Sequence, residues 1–170
     1  MTLKKIFPLL FCLLNIGYAF GQKTSAEFIK SGNQKESVKD FSGAVKDFEQ
    51  AVALEPQNTE ALYNLGYANF ELKDYASAIR SYDKAMASDT ESVELYYNRG
   101  NAKFEMKDYK GAIEDYNKAI FLDPEDKESY YNRAIAKYNI GERESACKDL
   151  EKAQSLGDKM VGDVMKELCH

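Results

Sequence analysis

The sequence predicts an all-α solenoid of four stacked helical hairpins that ends in a capping helix. Two observations predict this fold: small and aromatic residues recur at intervals of 34 positions, and each 34-residue unit contains two amphipathic helical patterns. The recurring residues are Gly32, Gly66, Gly100 and Ala134; Ala44, Ala78, Ala112 and Ala146; Phe48, Tyr82, Tyr116 and Leu150; and Ala51, Ala85, Ala119 and Ala153. A single hairpin cannot bury its own apolar stripe, so neighbouring hairpins must stack against one another.

The amino-terminal residues 1–21 are predicted to be a cleaved secretory signal peptide. Two lysines precede an apolar stretch at 6–20, and the small residues Ala19 and Gly21 stand at the −3 and −1 positions of a cleavage site before Gln22. A membrane anchor is the alternative, but about 15 apolar residues fall short of the roughly 20 that a transmembrane helix needs. We therefore expect an exported protein, either periplasmic or secreted.

The chain that remains after cleavage is acidic. Residues 1–21 contain two lysines and no acidic residue, so their removal leaves 21 basic against 28 acidic side chains and a net charge of −7. An acidic surface repels phosphate groups, which argues against nucleic-acid binding. No second apolar run follows, so we expect no membrane insertion after signal cleavage.

Four repeats are predicted within residues 22–158, and each pairs a first helix with a second one. The approximate repeat boundaries are 25–58, 59–92, 93–126 and 127–158. In the third repeat we expect helices at 92–106 and 109–122, with Asp108 capping the second helix. The glycine or alanine of each first helix lets the second helix approach closely, and a large side chain from the second helix fills the space between them.

Residues 159–170 are predicted to form a carboxy-terminal capping helix. Their apolar side chains are Met160, Val161, Val164, Met165 and Leu168. The last repeat of a solenoid leaves its apolar stripe exposed unless another element covers it. We therefore expect this helix to pack on the fourth repeat.

The repeat resembles the tetratricopeptide repeat at its defining positions. The first motif position holds Phe28, Leu62, Tyr96 and Tyr130, and the glycines, alanines and aromatic residues above occupy the other positions. The resemblance covers residues 25–157. It implies a right-handed superhelix of antiparallel helix pairs, in which the first helices line a concave groove that binds a peptide or a partner protein.

The resemblance also implies which side chains face this groove. The candidate binding residues lie at matching offsets on the first helices: Tyr63, Asn64, Tyr67, Tyr97, Asn98, Asn101, Tyr131 and Asn132. Asparagine amides both donate and accept hydrogen bonds, so a row of them can hold an extended peptide backbone. The alternative is that these residues match the repeat consensus, and that aromatic residues such as Phe70 and Phe104 pack within it. Glu60, Glu94 and Glu128 at the groove entrance favour a neutral or basic ligand segment.

Two arginines directly follow the groove asparagines. We expect Arg99 and Arg133 to brace neighbouring repeats through acidic residues such as Asp83 or Asp115. This interpretation gives the two arginines a structural role and leaves ligand binding to the asparagines beside them.

Two cysteines remain after signal cleavage. Cys147 takes an apolar position on the second helix of repeat four, on the face that meets the cap, and Cys169 lies near the end of the cap. Antiparallel packing brings the start of one helix to the end of the other, so an oxidising compartment favours a disulfide between them. The alternative is a pair of buried thiols that act as small apolar side chains.

The sequence contains no recognisable catalytic or cofactor-binding motif. Its one histidine is the terminal His170, and neither a glycine-rich phosphate loop nor a cysteine–histidine zinc spacing occurs. We therefore expect no enzymatic activity, no cofactor and no metal.

The leading hypothesis is a non-catalytic scaffold that binds a protein or peptide partner in its groove. The alternative is a self-assembling or anchoring component of an envelope complex, and the sequence leaves the oligomeric state open.

Overall fold

The computed structural model of the protein describes residues 23–159 and 161–169. These residues form nine α-helices joined by short turns: α1 (Ser25–Ser37), α2 (Phe41–Leu54), α3 (Thr59–Glu71), α4 (Tyr75–Met86), α5 (Val93–Glu105), α6 (Tyr109–Leu122), α7 (Lys127–Asn139), α8 (Arg143–Ser155) and α9 (Val161–Cys169). The predicted signal peptide, Met160 and His170 lie outside the described residues. Within the described part, no helix has the length and apolarity that crossing a bilayer requires.

The helices stack as four antiparallel hairpins followed by one further helix. Each odd-numbered helix from α1 to α7 packs on the even-numbered helix that follows it, and each even-numbered helix packs on the helix that comes next in the chain. Successive first helices also contact one another directly, so α1, α3, α5 and α7 line the inner surface of the stack. The predicted all-α solenoid is confirmed, and the helices predicted at 92–106 and 109–122 begin and end within one residue of their observed bounds.

A tight turn joins the two helices of each hairpin. In the third repeat, Lys107 adopts a left-handed conformation with φ of 63°, and Asp108 then caps α6 by accepting a hydrogen bond from the backbone N–H of Gly111 at 3.0 Å. The first two repeats have the same lysine and aspartate pair at this turn. In the fourth repeat Gly141 takes the left-handed position, and Glu142 makes no side-chain cap.

The glycines of the first helices allow the close approach that the sequence predicted. A Cβ atom placed on Gly66 would lie 2.5 Å from Tyr82 Cε1, and one placed on Gly100 would lie 2.7 Å from Tyr116 Cε1. Both tyrosine rings are fully buried. In the fourth repeat the smaller Leu150 replaces the ring, and Ala134 replaces the glycine. The residue sizes on the two helices therefore compensate within each hairpin.

Buried ion pairs join the helices of the third and fourth repeats. Arg99 donates two hydrogen bonds to Asp115, at 2.9 and 2.5 Å, and a third to Asp83 at 2.6 Å, while Lys103 Nζ lies 2.8 Å from Asp115. The predicted bracing by Arg99 is confirmed, since its guanidinium connects α4, α5 and α6. The hydrogen bonds to Asp115 and then Asp83 raise the pKa of Arg99, which keeps it charged.

The fourth repeat has a similar network, but Arg133 contacts the repeat before it through Asn117 Oδ1, at 2.7 Å, instead of through an acidic residue. The second repeat has no such network. Arg133 donates two hydrogen bonds to Asp149, at 2.8 and 2.5 Å, and Lys137 Nζ lies 2.8 Å from the same carboxylate. The corresponding residues of the second repeat are the neutral Leu65, Asn69 and Ser81. The same hairpin therefore forms both with buried ion pairs, as in the third and fourth repeats, and with neutral residues at those positions, as in the second repeat.

The ninth helix covers the apolar stripe of the fourth repeat. Val161 is fully buried in one cluster with Leu150 and Ala153. At its far end, Cys169 is joined to Cys147 of α8 by a disulfide, with a Cα–Cα distance of 5.8 Å. Closing a loop with a sequence separation of 22 contributes about 3 kcal/mol by restricting the unfolded chain. The cap is therefore held by both packing and a covalent link.

Candidate functional site

The eight candidate groove residues lie on the inner surface of the solenoid. They belong to α3, α5 and α7, the first helices of repeats two to four, and all of them are half-buried. Because successive first helices contact one another, the side chains of one repeat reach those of the next. We call this surface the groove.

The groove asparagines form a row of hydrogen bonds between successive repeats. The three bonds run from Asn64 Nδ2 to Asn33 Oδ1 at 3.0 Å, from Asn98 Nδ2 to Tyr63 Oη at 3.2 Å, and from Asn132 Nδ2 to Tyr97 Oη at 3.1 Å. Asn64 and Asn98 thus each donate one hydrogen bond to the repeat before them, whereas Asn132 donates two, the second of them to Asn101 Oδ1 at 3.0 Å. The Oδ1 atoms of Asn64, Asn98 and Asn132 accept no protein hydrogen bond from the described residues. These oxygens remain available to accept a hydrogen bond from a ligand backbone N–H.

The groove tyrosines both support the fold and line the surface. The ring of Tyr63 packs on Tyr82 with centroids 6.1 Å apart, and the ring of Tyr97 packs on Tyr116 at 6.3 Å. Their hydroxyl oxygens accept the hydrogen bonds from the asparagines of the next repeat. The rings therefore hold the asparagine amides in place, which the sequence pattern alone did not indicate.

Asn101 connects three helices at the centre of the groove. Its Oδ1 accepts hydrogen bonds from Tyr116 Oη at 2.8 Å and from Asn132 Nδ2 at 3.0 Å. The matching positions of the neighbouring repeats hold Tyr67 and Ile135, and neither residue has a side-chain amide. The same difference leaves the buried hydroxyl of Tyr82 without a hydrogen-bond partner among the described residues.

A pocket of about 330 Å³ opens beside Asn101, and we call it the central pocket. Its lining residues are Phe70, Asn101, Phe104, Glu105, Tyr116, Tyr131, Asn132 and Ile135. Phe70 and Phe104 also pack against Tyr75 and Tyr109, with ring centroids 5.4 and 5.2 Å apart. These two phenylalanines therefore pack within the fold, as the sequence suggested, and they also border the pocket. Ile135 was not among the candidate residues, although it occupies the position of Asn101 in the next repeat.

The groove has a negative electrostatic character. Burial raises the pKa of the Tyr67 hydroxyl, and the neighbouring Glu71 and Glu36 raise it further. Burial also raises the pKa of Glu36 itself, with a second contribution from the charge of Glu71. Glu60 and Glu94, which the sequence placed at the groove entrance, are exposed in the first turns of α3 and α5. Carboxylates therefore flank the groove near both ends of its helices.

A second pocket of about 500 Å³ lies where the groove meets the turn before α9. It is lined by Tyr97, Lys127, Glu128, Tyr131, Asn132, Gly157, Asp158 and Lys159. Two lysines and two acidic residues, Glu128 and Asp158, line this pocket, whereas Glu105 is the charged residue of the central one. The formal charges of the lining residues therefore cancel in this pocket and leave one negative charge in the central one. Among the residues that the structure describes, no group of three or more histidine, cysteine, aspartate or glutamate side chains could hold a metal ion.

The sequence matches family models described as tetratricopeptide repeat over most of its length. The matched segments are residues 37–92, 93–126 and 127–156. Together they cover the second, third and fourth repeats and most of the first. The curated proteins include none that matches the chain significantly.

Several solved structures resemble the chain. A crystal structure of the MamA protein shares 29% identity with a TM-score of 0.75, over 78% of this chain and 72% of that one. The thermophilic TPR protein TTC0263 from Thermus thermophilus shares 20% identity with a TM-score of 0.66, over 79% of this chain and 75% of that one. The APC/C hetero-tetramer Cut9–Hcn1 shares 19% identity with a TM-score of 0.77, over 87% of this chain and 30% of that one. The last two similarities concern the fold alone.

Proposed function

The chain belongs to the tetratricopeptide repeat family, whose members are protein-interaction scaffolds, and we propose that its groove binds an extended peptide segment of a partner protein without catalysing a reaction. One observation carries this proposal. Three asparagines in successive repeats each keep a carbonyl oxygen without a donor among the described residues, on a half-buried surface lined by tyrosines. An extended peptide presents backbone N–H groups that match such a row of acceptors.

The charge of the groove supports a neutral or basic ligand segment. Glu36, Glu71 and Glu105 lie along one side of the groove, and Glu60 and Glu94 lie near its entrance. An acidic ligand would meet like charges on this surface, which disfavours its binding. A basic segment would also associate faster at low ionic strength.

Changing Asn64, Asn98 and Asn132 together to alanine is expected to abolish capture of the partner. The substitution removes the acceptor row and four hydrogen bonds between repeats, each of which contributes about 1 kcal/mol to stability. Capture is measured by pull-down from an extract of the compartment in which the protein resides, followed by mass spectrometry.

A control variant carries alanine at Gln50, Lys84 and Glu151, which are exposed on the second helices. Both proteins are assayed well below their melting temperatures, so that a loss of capture reports on the groove. If the asparagine variant captured the same partner as the parent protein, groove binding through these amides would be wrong.

Self-association is a second candidate function, because apolar side chains are exposed at the hairpin turns. Val38, Leu72 and Met106 occupy the same position of successive repeats, with exposed fractions of 75, 45 and 52%. A repeated apolar edge of this kind is suited to contact with another protein surface. Sedimentation of the protein over a range of concentrations is expected to reveal oligomers if this edge pairs with itself. A monomer at every concentration would eliminate self-assembly and leave the groove as the proposed binding surface.

We also propose that the protein is exported and that residues 1–21 are removed. The disulfide between Cys147 and Cys169 supports this proposal, because structural disulfides persist mainly in oxidising compartments. The intact mass of the protein, purified from the periplasm or the medium without reductant, is expected to equal that of residues 22–170 less two hydrogens. Treatment with reductant should restore the mass of those hydrogens. A protein that retained residues 1–21 would contradict removal of the signal peptide. A protein that carried two free thiols would contradict export to an oxidising compartment.

A further inference from the structure

We propose that the central pocket binds the side chain of a lysine or arginine in the partner segment, so that a basic residue sets the register of the ligand in the groove. This inference rests on the proposed groove binding and names the side chain that the groove selects. It is carried by the combination of charge, apolar walls and unused hydrogen-bonding groups at one place.

The charge of the pocket favours a cation. Of its eight lining residues, Glu105 alone carries a charge. Tyr75 Oη donates to Glu105 Oε2 at 3.3 Å, which leaves Oε1 available. The nearest cations on α5, Arg99 and Lys103, are bound to Asp115, so they do not neutralise Glu105.

The walls of the pocket suit the long stem of a basic side chain. Phe70, Phe104 and Ile135 supply apolar surface, against which the methylene groups of lysine or arginine pack. Aromatic rings also attract a cation placed over their faces. A volume of about 330 Å³ lies at the small end of the range for ligand pockets and accommodates one large side chain.

Two amides beside the pocket provide further hydrogen bonds. Asn132 Oδ1 accepts no protein hydrogen bond from the described residues, so it can accept one from an ammonium or guanidinium group. Asn101 uses its oxygen for Tyr116 and Asn132, and its Nδ2 makes no hydrogen bond to the described residues. That amide can therefore donate to the backbone carbonyl of the residue whose side chain enters the pocket.

The proposal is tested by selection from a random linear peptide library displayed on phage, with the immobilised protein as bait. We expect the selected peptides to share one position enriched in arginine or lysine. A selected peptide is then synthesised with arginine and with citrulline at that position, since citrulline has nearly the same shape and no charge. Fluorescence anisotropy is expected to show about five-fold weaker binding of the citrulline peptide, the effect of one partly exposed ion pair.

Two variants of the protein test whether the preference for the arginine peptide depends on Glu105. Glu105→Gln keeps the shape of the side chain and is expected to bind both peptides with equal affinity. Glu114→Gln removes an exposed carboxylate from the second helix of the same repeat, and should preserve the five-fold preference. Both positions are exposed, so neither variant is expected to unfold.

The outcomes separate this inference from the function on which it rests. Selected peptides without a basic position, or an arginine preference that survives Glu105→Gln, would overturn the assignment of the pocket while leaving groove binding intact. If the protein selected no peptides at all, both the groove function and the pocket assignment would be wrong.

Discussion

Replacing Asp115 by serine is expected to destabilise the solenoid by about 3–5 kcal/mol. The carboxylate is 3% exposed and forms ion pairs with both Arg99 and Lys103. Its removal leaves two cations with restricted access to water and no buried counter-ion. Urea unfolding followed by circular dichroism measures the change in the free energy of unfolding.

The second repeat provides the matched control for this substitution. It carries Leu65, Asn69 and Ser81 at the positions of Arg99, Lys103 and Asp115, and its hairpin packs in the same way. The triple variant Arg99→Leu, Lys103→Asn and Asp115→Ser is therefore expected to recover most of the stability that Asp115→Ser loses. Replacing a whole buried ion pair by well-packed neutral residues often leaves the stability of a protein nearly unchanged, whereas removing one partner leaves a buried charge unpaired and is strongly destabilising. A triple variant no more stable than the single one would mean that the repeats do not tolerate exchange of these residues.

The sequence predicted the fold well because its main determinant is local and repeated. The size of the residue at Gly66 or Ala134 is visible in the sequence, and so is the large residue 16 positions later that packs on it. The capping helix was predictable for a related reason, since the fourth repeat needs a cover and an apolar helical pattern follows it. Four copies of one pattern give each of these inferences independent support.

The contacts between repeats were harder to predict, because they depend on how far one hairpin is rotated against the next. The sequence placed Asn98 and Asn132 in the groove, yet it did not indicate that their amides donate to Tyr63 and Tyr97. It indicated an acidic partner for Arg99, but not that Lys103 shares the same carboxylate. The central pocket depends on the spatial relation of three helices, which no single repeat encodes.

Replacing Gly66 by alanine is expected to destabilise the protein by about 1–2 kcal/mol. The added Cβ would lie 2.5 Å from the ring of Tyr82, which is fully buried and cannot move without displacing its neighbours. Overpacking of this kind costs about 1–3 kcal/mol and occasionally more, against a gain of up to about 1 kcal/mol in helix propensity. Gly162→Ala serves as the control, because the nearest atom to its added Cβ is 3.9 Å away. That variant should be as stable as the parent protein or slightly more stable.

The fourth repeat predicts how the loss at Gly66 can be repaired. There, Ala134 on the first helix lies opposite Leu150 on the second, and both are fully buried in one apolar cluster. The double variant Gly66→Ala and Tyr82→Leu copies that pair into the second repeat. The hydroxyl of Tyr82 has no hydrogen-bond partner among the described residues, so its loss leaves no protein group unpaired. If residue size governs how the hairpins close, the double variant should be more stable than Gly66→Ala alone, with a coupling energy above about 1 kcal/mol in a double-mutant cycle. Additive losses would show instead that the close approach of the two helices is set by contacts outside this pair.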